Sequence, residues 1–310
     1  MRAILFPGQG SQYVGMGSIF YEKYDLVKEI FNTVDETLNY PLSKIILKGP
    51  EEELKLTKNT QPAIMALGVS IFKIMNEKFN MKLNSSKFFA GHSLGEYTAL
   101  VCAGSLTIKD AAYLLHERGK AMQNSVPKVE GAMTAIIGLD ISEVKKELLE
   151  IKKIGVCEIA NDNSNEQVDG TGEKKAIDEL NKVVKKKNKR GIILPVSAPF
   201  HCSLMKNALD NMKDKIDKTD FSKPDPNIIS NVTAVEENDI YKIKNLLVSQ
   251  ITATVRWRES VNYMINKGVK EFLEIGPGKV LSGLVRKIDK DVKVMNINSI
   301  DDINDCVKND

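Results

Sequence analysis

Short, wholly apolar runs alternate with helix-spaced patterns over the first third of the chain. Residues 3–6 form an apolar run closed by Pro7-Gly8-Gln9-Gly10, which predicts a buried strand ending in a turn. Leu26, Val27, Ile30, Phe31 and Val34 then recur at helical spacing. Residues 60–75 read as a core helix with Pro62 near its first turn. Residues 87–90 form the next strand candidate, followed by helices over 94–102 and 108–124. Strand, turn and helix in repetition predict an α/β fold with a largely parallel sheet.

The middle of the chain has a different rhythm. Strand patterns at 133–139, 156–160, 166–168 and 192–196 enclose helical patterns at 142–151, with Ser142 as N-cap, and 173–185. That order is βαββαβ, the ferredoxin-like split unit. It predicts an inserted small subdomain at 125–197, leaving 1–124 and 198–310 as one large α/β subdomain. Its weakest strand is Glu166-Gln167-Val168-Asp169-Gly170, where Asp169 and Gly170 interrupt the apolar pattern. Beyond Pro199, helices are expected at 207–216 and 257–267 and strands at 227–231 and 272–275. Trp257, Val261 and Met264 share one face of the 257–267 helix, which Gly268 ends. A last helix should follow Gly276-Pro277-Gly278-Lys279.

Composition narrows the class without deciding it. The 310 residues carry a net charge of +3, too small to imply a nucleic-acid partner. The lysine run at 183–190 reads as a solvated helix face, or as a landing surface for an acidic partner. Four cysteines without CxxC or zinc-type spacing suggest reduced thiols in a cytoplasmic protein with no metal site. The N-terminal apolar run is too short for a secretory signal, and no stretch is long enough to span a bilayer.

Gly91-His92-Ser93-Leu94-Gly95 fits G-x-S-x-G between a strand and a helix, where a nucleophile elbow holds its serine in the open. The alternative is an N-cap serine between turn glycines. Of three histidines, His92 lies inside the turn and His116 within a helix. His201 follows a strand and precedes a helix, so it is the candidate base. The Leu94 amide and the Gln9 side chain are candidate oxyanion donors. Gly8 and Gly10 without a third glycine do not make a dinucleotide fingerprint. Arg118 falls on the apolar stripe of its helix with Leu115 and Met122, suited either to a structural ion pair or to a substrate carboxylate.

With these residues in hand, the chain resembles the malonyl-CoA:acyl carrier protein transacylases over nearly its whole length. The resemblance rests on seven ordered motifs: FPGQGSQ from Phe6, TQPA from Thr60, GHSLGEYTAL from Gly91, RGKAMQ from Arg118, APFHCSLM from Ala198, VRWRESV from Val255 and EIGPGKVL from Glu274. It implies an α/β-hydrolase-like core with the ferredoxin-like insert and the site between them. Ser93 would carry a malonyl ester and His201 would be the base, oriented by the Gln250 backbone carbonyl. Gln9 and Leu94 would hold the oxyanion, Arg118 would clamp the malonyl carboxylate, and Phe200 would leave little room for an α-methyl group.

The expected reaction is ping-pong transfer from malonyl-CoA to the phosphopantetheine thiol of acyl carrier protein in fatty acid or polyketide synthesis. Coenzyme A thioester enters as substrate with no bound cofactor, and a monomer without nucleic-acid or membrane partners is expected. A serine esterase or thioesterase, and a non-catalytic carrier-protein-binding module, are the alternatives. Two departures from the family pattern stand out. Asn161 to Ser164 leads into a polar, glycine-containing stretch instead of an apolar strand, and Thr254 stands where many relatives have proline.

Overall fold

The computed structural model describes residues 1–126, 130–196 and 198–309. Its ten strands are β1 (Arg2–Phe6), β2 (Phe88–Gly91), β3 (Gly131–Ile137), β4 (Cys157–Ser164), β5 (Gln167–Glu173), β6 (Arg190–Ile193), β7 (Ile228–Ile229), β8 (Glu236–Glu237), β9 (Glu271–Ile275) and β10 (Lys293–Ile297). Six form one sheet in the order β10-β9-β1-β2-β7-β8, parallel except at β8. β1 lies inside this sheet, paired with β2 and β9. Ile4 and Phe6 enter the core on one face while Ala3 and Leu5 enter a second core on the other. A strand covered on both faces reads as an unbroken apolar run, which is why residues 3–6 stand out.

The other four strands form an antiparallel sheet in the order β4-β5-β3-β6. One face packs on the helices Ile141–Ile151 and Lys174–Lys186 through Ile136, Val168, Val144, Leu148, Ile177 and Leu180. In the second of these helices Val184 turns inward while Lys185 and Lys186 stay exposed, so the lysine run begins on a solvated face. The C-terminal limit expected for the small subdomain, Ser197, lies outside the described residues.

The interruption expected at Asp169 and Gly170 does not occur, and β5 runs from Gln167 through Glu173. Asp169 is buried there because the Asn161 and Asn163 side-chain amides each donate to its Oδ2 at 2.8 Å. Gly172 has φ +152°, and a Cβ on it would lie 2.0 Å from the Val156 carbonyl oxygen. Glycine is thus what lets β4 come alongside. Thr254, in the family's proline position, donates its hydroxyl to Ile159 O at 2.7 Å and so ties its segment to β4. Arg258 grips buried Asp162 on the same strand with two nitrogens, Nε at 3.0 Å and an NH2 contact at 2.8 Å.

Four further expectations are corrected locally. The helix over Ile141–Ile151 is capped by Asp140, reciprocally with Glu143, and not by Ser142. The strand expected at 192–196 lies at Arg190–Ile193, and that at 227–231 shrinks to Ile228–Ile229. The long core helix starts at Thr57, which places Pro62 within it instead of in its first turn. Proline has no N–H to offer the Lys58 carbonyl. The His116 ring fills that vacancy, its Nδ1 lying 2.9 Å from Lys58 O, which gives this histidine a structural partner.

Candidate active site

The elbow begins where β2 ends. Ser93 precedes the helix Leu94–Cys102 with φ 54° and ψ −110°. A Cβ on Gly91 would fall 1.9 Å from the Gly95 carbonyl group, and one on Gly95 would fall 2.2 Å from Phe6 O. Both glycines are therefore demanded by backbone contact, and the turn throws the serine side chain clear. Gly91→Ala should cost about 3 kcal/mol or more of stability, because the methyl meets backbone and cannot be accommodated by a rotamer change. Urea denaturation measures it; a loss within about 0.5 kcal/mol would contradict the steric reading.

Ser93 Oγ lies 2.9 Å from His201 Nε2. His201 Nδ1 lies 2.8 Å from Gln250 O, which can only accept, so Nδ1 carries the proton and Nε2 presents its lone pair to the serine. Arg118 donates an NH2 to Ser93 Oγ at 3.1 Å and to Gln250 Oε1 at 2.8 Å, and an NH1 to Gln61 Oε1 at 2.7 Å. Its Nε has no partner among the described residues, although the side chain is buried. Ser93 and His201 both adopt positive φ. Neither is glycine or asparagine, so the backbone is strained at the two residues that meet, a pattern that concentrates at functional sites.

These groups face a cavity of about 410 Å³ between the two sheets. Gln9, Leu94 and Phe200 line it, with apolar walls from Met122, Met133, Leu194 and Val196. Leu94 opens its helix, so its amide has no acceptor within that helix. The Gln9 amide lies 3.4 Å from Thr57 Oγ1, a weak tether that leaves it free to turn toward a ligand. Burial pushes His201 down to about 3, helped by the Arg118 charge, and His92 down to about 4. Both rings are neutral at neutral pH. His92 turns from the serine, its Nε2 lying 3.0 Å from Asn163 Oδ1.

Several residues that hold this arrangement were not singled out in the sequence. Asn231 accepts from Ser93 N at 2.7 Å and donates to Gly91 O at 2.7 Å, bracing the elbow from both sides. Glu96 accepts from Asn231 N at 3.1 Å and from Gln250 Nε2 at 2.7 Å. Gln61, from the TQPA motif, supports Arg118. Glu96 carried one available signal, a charged residue in an otherwise apolar first turn after the serine.

A mixed α/β fold that presents a serine on such an elbow, hydrogen-bonded to an imidazole in a cleft, points to the class of acyltransferases. The acyl transferase domain model matches residues 4–304. The malonyl CoA-acyl carrier protein transacylase of Bacillus subtilis (strain 168) is 43% identical over 295 residues, covering 94% of this chain and 92% of that protein. The protein of the same name from Escherichia coli (strain K12) is 40% identical, covering 92% of each chain. Among solved structures, the acyl-carrier-protein S-malonyltransferase of Bartonella henselae has a TM-score of 0.96 at 41% identity, covering 99% of this chain and 98% of that one. A malonyl-transacylase solved in complex with a type II polyketide acyl carrier protein has a TM-score of 0.96 at 37% identity, covering 100% and 99%. The chain belongs to the malonyl-CoA:acyl carrier protein transacylase family.

Proposed function

We propose that this protein transfers the malonyl group of malonyl-CoA to the phosphopantetheine thiol of acyl carrier protein through an ester on Ser93. The observation that carries this reading is a buried guanidinium bonded to the same hydroxyl that meets the imidazole. His201 Nε2 takes the Ser93 proton as Oγ attacks the thioester carbonyl. The Leu94 amide and the Gln9 side chain receive the oxyanion, and the proton passes to the departing coenzyme A thiolate. Carrier protein thiol then repeats the sequence on the malonyl-serine ester. Gln250 O holds the imidazole tautomer, so the base needs no acidic partner. Coenzyme A is part of the substrate, and no bound cofactor is invoked.

Arg118 pairs with the free carboxylate of malonate, and Phe200 crowds the α-carbon. The order β4-β5-β3-β6, read with its βαββαβ chain order, supports a ferredoxin-like small subdomain closing over an α/β-hydrolase-like core. Among the described residues, no helix is long and apolar enough to cross a membrane.

Intact-mass measurement after incubation with malonyl-, methylmalonyl- and acetyl-CoA tests the reading. A malonyl adduct on Ser93, with little methylmalonyl and no acetyl, is the expected outcome. An unmodified protein after denaturing quench would remove the basis for it. The low affinity of His201 for protons adds a pH expectation. Because its folded value lies near 3, the base is already free, so malonyl loading should not slow between about pH 7 and about pH 5. Rapid-quench loading rates check this; a tenfold fall over that range would place the base elsewhere.

A further inference from the structure

Arg118 is a full charge, 1% exposed, yet its hydrogen-bond acceptors are all neutral: Gln61 Oε1, Gln250 Oε1 and Ser93 Oγ. A buried cation without a compensating anion is costly. Glu96, also 1% exposed, lies one carboxamide away. Gln250 spans the two, accepting from Arg118 through Oε1 at 2.8 Å and donating through Nε2 to Glu96 Oε2 at 2.7 Å. Asn231 N donates to the same Glu96 oxygen at 3.1 Å, while the Asn231 side chain holds Ser93 N. The carboxylate therefore reaches both halves of the site through neutral relays.

We propose that Glu96 is the counter-charge and positioning residue for Arg118, acting through the Gln250 carboxamide, and that it takes up a proton when a substrate carboxylate pairs with Arg118. This rests on the reading of Arg118 as a carboxylate clamp. In the free enzyme one cation and one anion balance across the bridge. A loaded malonyl group brings a second anion to one buried guanidinium. Binding a proton from solvent at Glu96 Oε1 restores neutrality and leaves both bonds to Oε2 intact.

The surroundings favour that exchange. Burial lifts the Glu96 carboxyl to about 7, against opposing pulls from its Asn231 and Gln250 hydrogen bonds and from Arg118 on the neighbouring helix Ile108–Gln123. Glu237 on β8 pushes the same way as burial, although it is itself paired with Lys242 at 2.7 Å. Tyr97, a further titratable neighbour, is pushed up to about 12 and stays neutral. A carboxyl poised there responds to one added charge. It also gives the enzyme a falling alkaline limb, since an ionised Glu96 weakens the hold of Arg118 on malonate.

The experiment is isothermal calorimetry of malonyl loading on the wild-type protein near pH 7, in two buffers of different ionisation heat. Acyl transfer itself is proton-neutral, because the serine proton ends on the coenzyme A thiol. Net uptake of a substantial fraction of a proton is expected in the wild type and none in Glu96→Gln. The kcat/KM for malonyl-CoA should fall about tenfold per pH unit on the alkaline side in the wild type, and that limb should be absent in Glu96→Gln. No uptake in the wild type, uptake that survives in Glu96→Gln, or an unchanged limb overturns the proposal, and the wild-type calorimetry decides even if the variant fails to fold. Mass measurement on the same samples separates the two levels. Wild-type protein that forms no malonyl-Ser93 defeats the parent reading, whereas an adduct formed without proton uptake defeats only the role given to Glu96.

Discussion

Ser93→Ala should form no malonyl adduct, and its transfer rate should fall by about ten-thousand-fold or more. Ser93 Oγ is the hydroxyl that His201 Nε2 and Arg118 both engage, and it sits on the one backbone turn that the glycines on either side make possible. Removing it does not merely slow one proton transfer, because the proposed covalent intermediate would have no other atom to form on. What remains is a cleft that still binds substrate and polarises its carbonyl, so residual activity should resemble slow direct attack. The fold should survive, since the alanine inherits the same backbone and the lost contacts lie at the edge of the cavity. Matching circular dichroism with absent acyl labelling is the expected pair of results. Acyl labelling at normal rate in the variant would mean that another nucleophile carries the reaction.

What the sequence made legible follows the range over which each cause acts. The elbow is local: glycines at 91 and 95 are written by contacts within two short elements and β1. Arg118 was readable because a charge on an apolar helical stripe contradicts its surroundings. The small sheet was legible as a βαββαβ order, but β5 only as a weak strand at 166–168, because aspartate and glycine usually break strands. There they are accommodated by partners that only the folded sheet supplies, the Asn161 and Asn163 amides and the close approach of Val156. Asn231 and the Gln250 carboxamide gave no signal at all. Their importance lies in bonds to Ser93, Glu96 and Arg118 across more than a hundred residues of chain, which no periodicity records. The strand β10 and the helices Ile240–Gln250 and Ile300–Lys308 were likewise unread, with Gln250 ending the first of these helices.

Arg118→Met should cost malonyl loading between about thirtyfold and several thousandfold in kcat/KM, the range for removing one partner of a buried, hydrogen-bonded charge pair, about 2–5 kcal/mol. Methionine keeps most of the volume on a helix whose face is otherwise Leu114, Leu115 and Met122, so packing changes least. The loss has two physical sources. The malonyl carboxylate would enter the cavity with no cation to receive it. Gln61 Oε1 and Gln250 Oε1 would also lose their donor, freeing the Gln250 side chain that shares a residue with the carbonyl orienting His201. Acetyl-CoA feels only the second source, because it brings no charge. In the wild type, acetyl loading covers the guanidinium without giving it a carboxylate to bond directly, and that penalty disappears in the variant. The malonyl-to-acetyl preference should therefore collapse from both directions, malonyl loading falling steeply while acetyl loading holds or rises. Competition between the two thioesters, read by mass on Ser93, measures that ratio directly. A variant that loses both acyl groups in equal proportion would show that Arg118 serves the reacting serine alone and does not select the substrate.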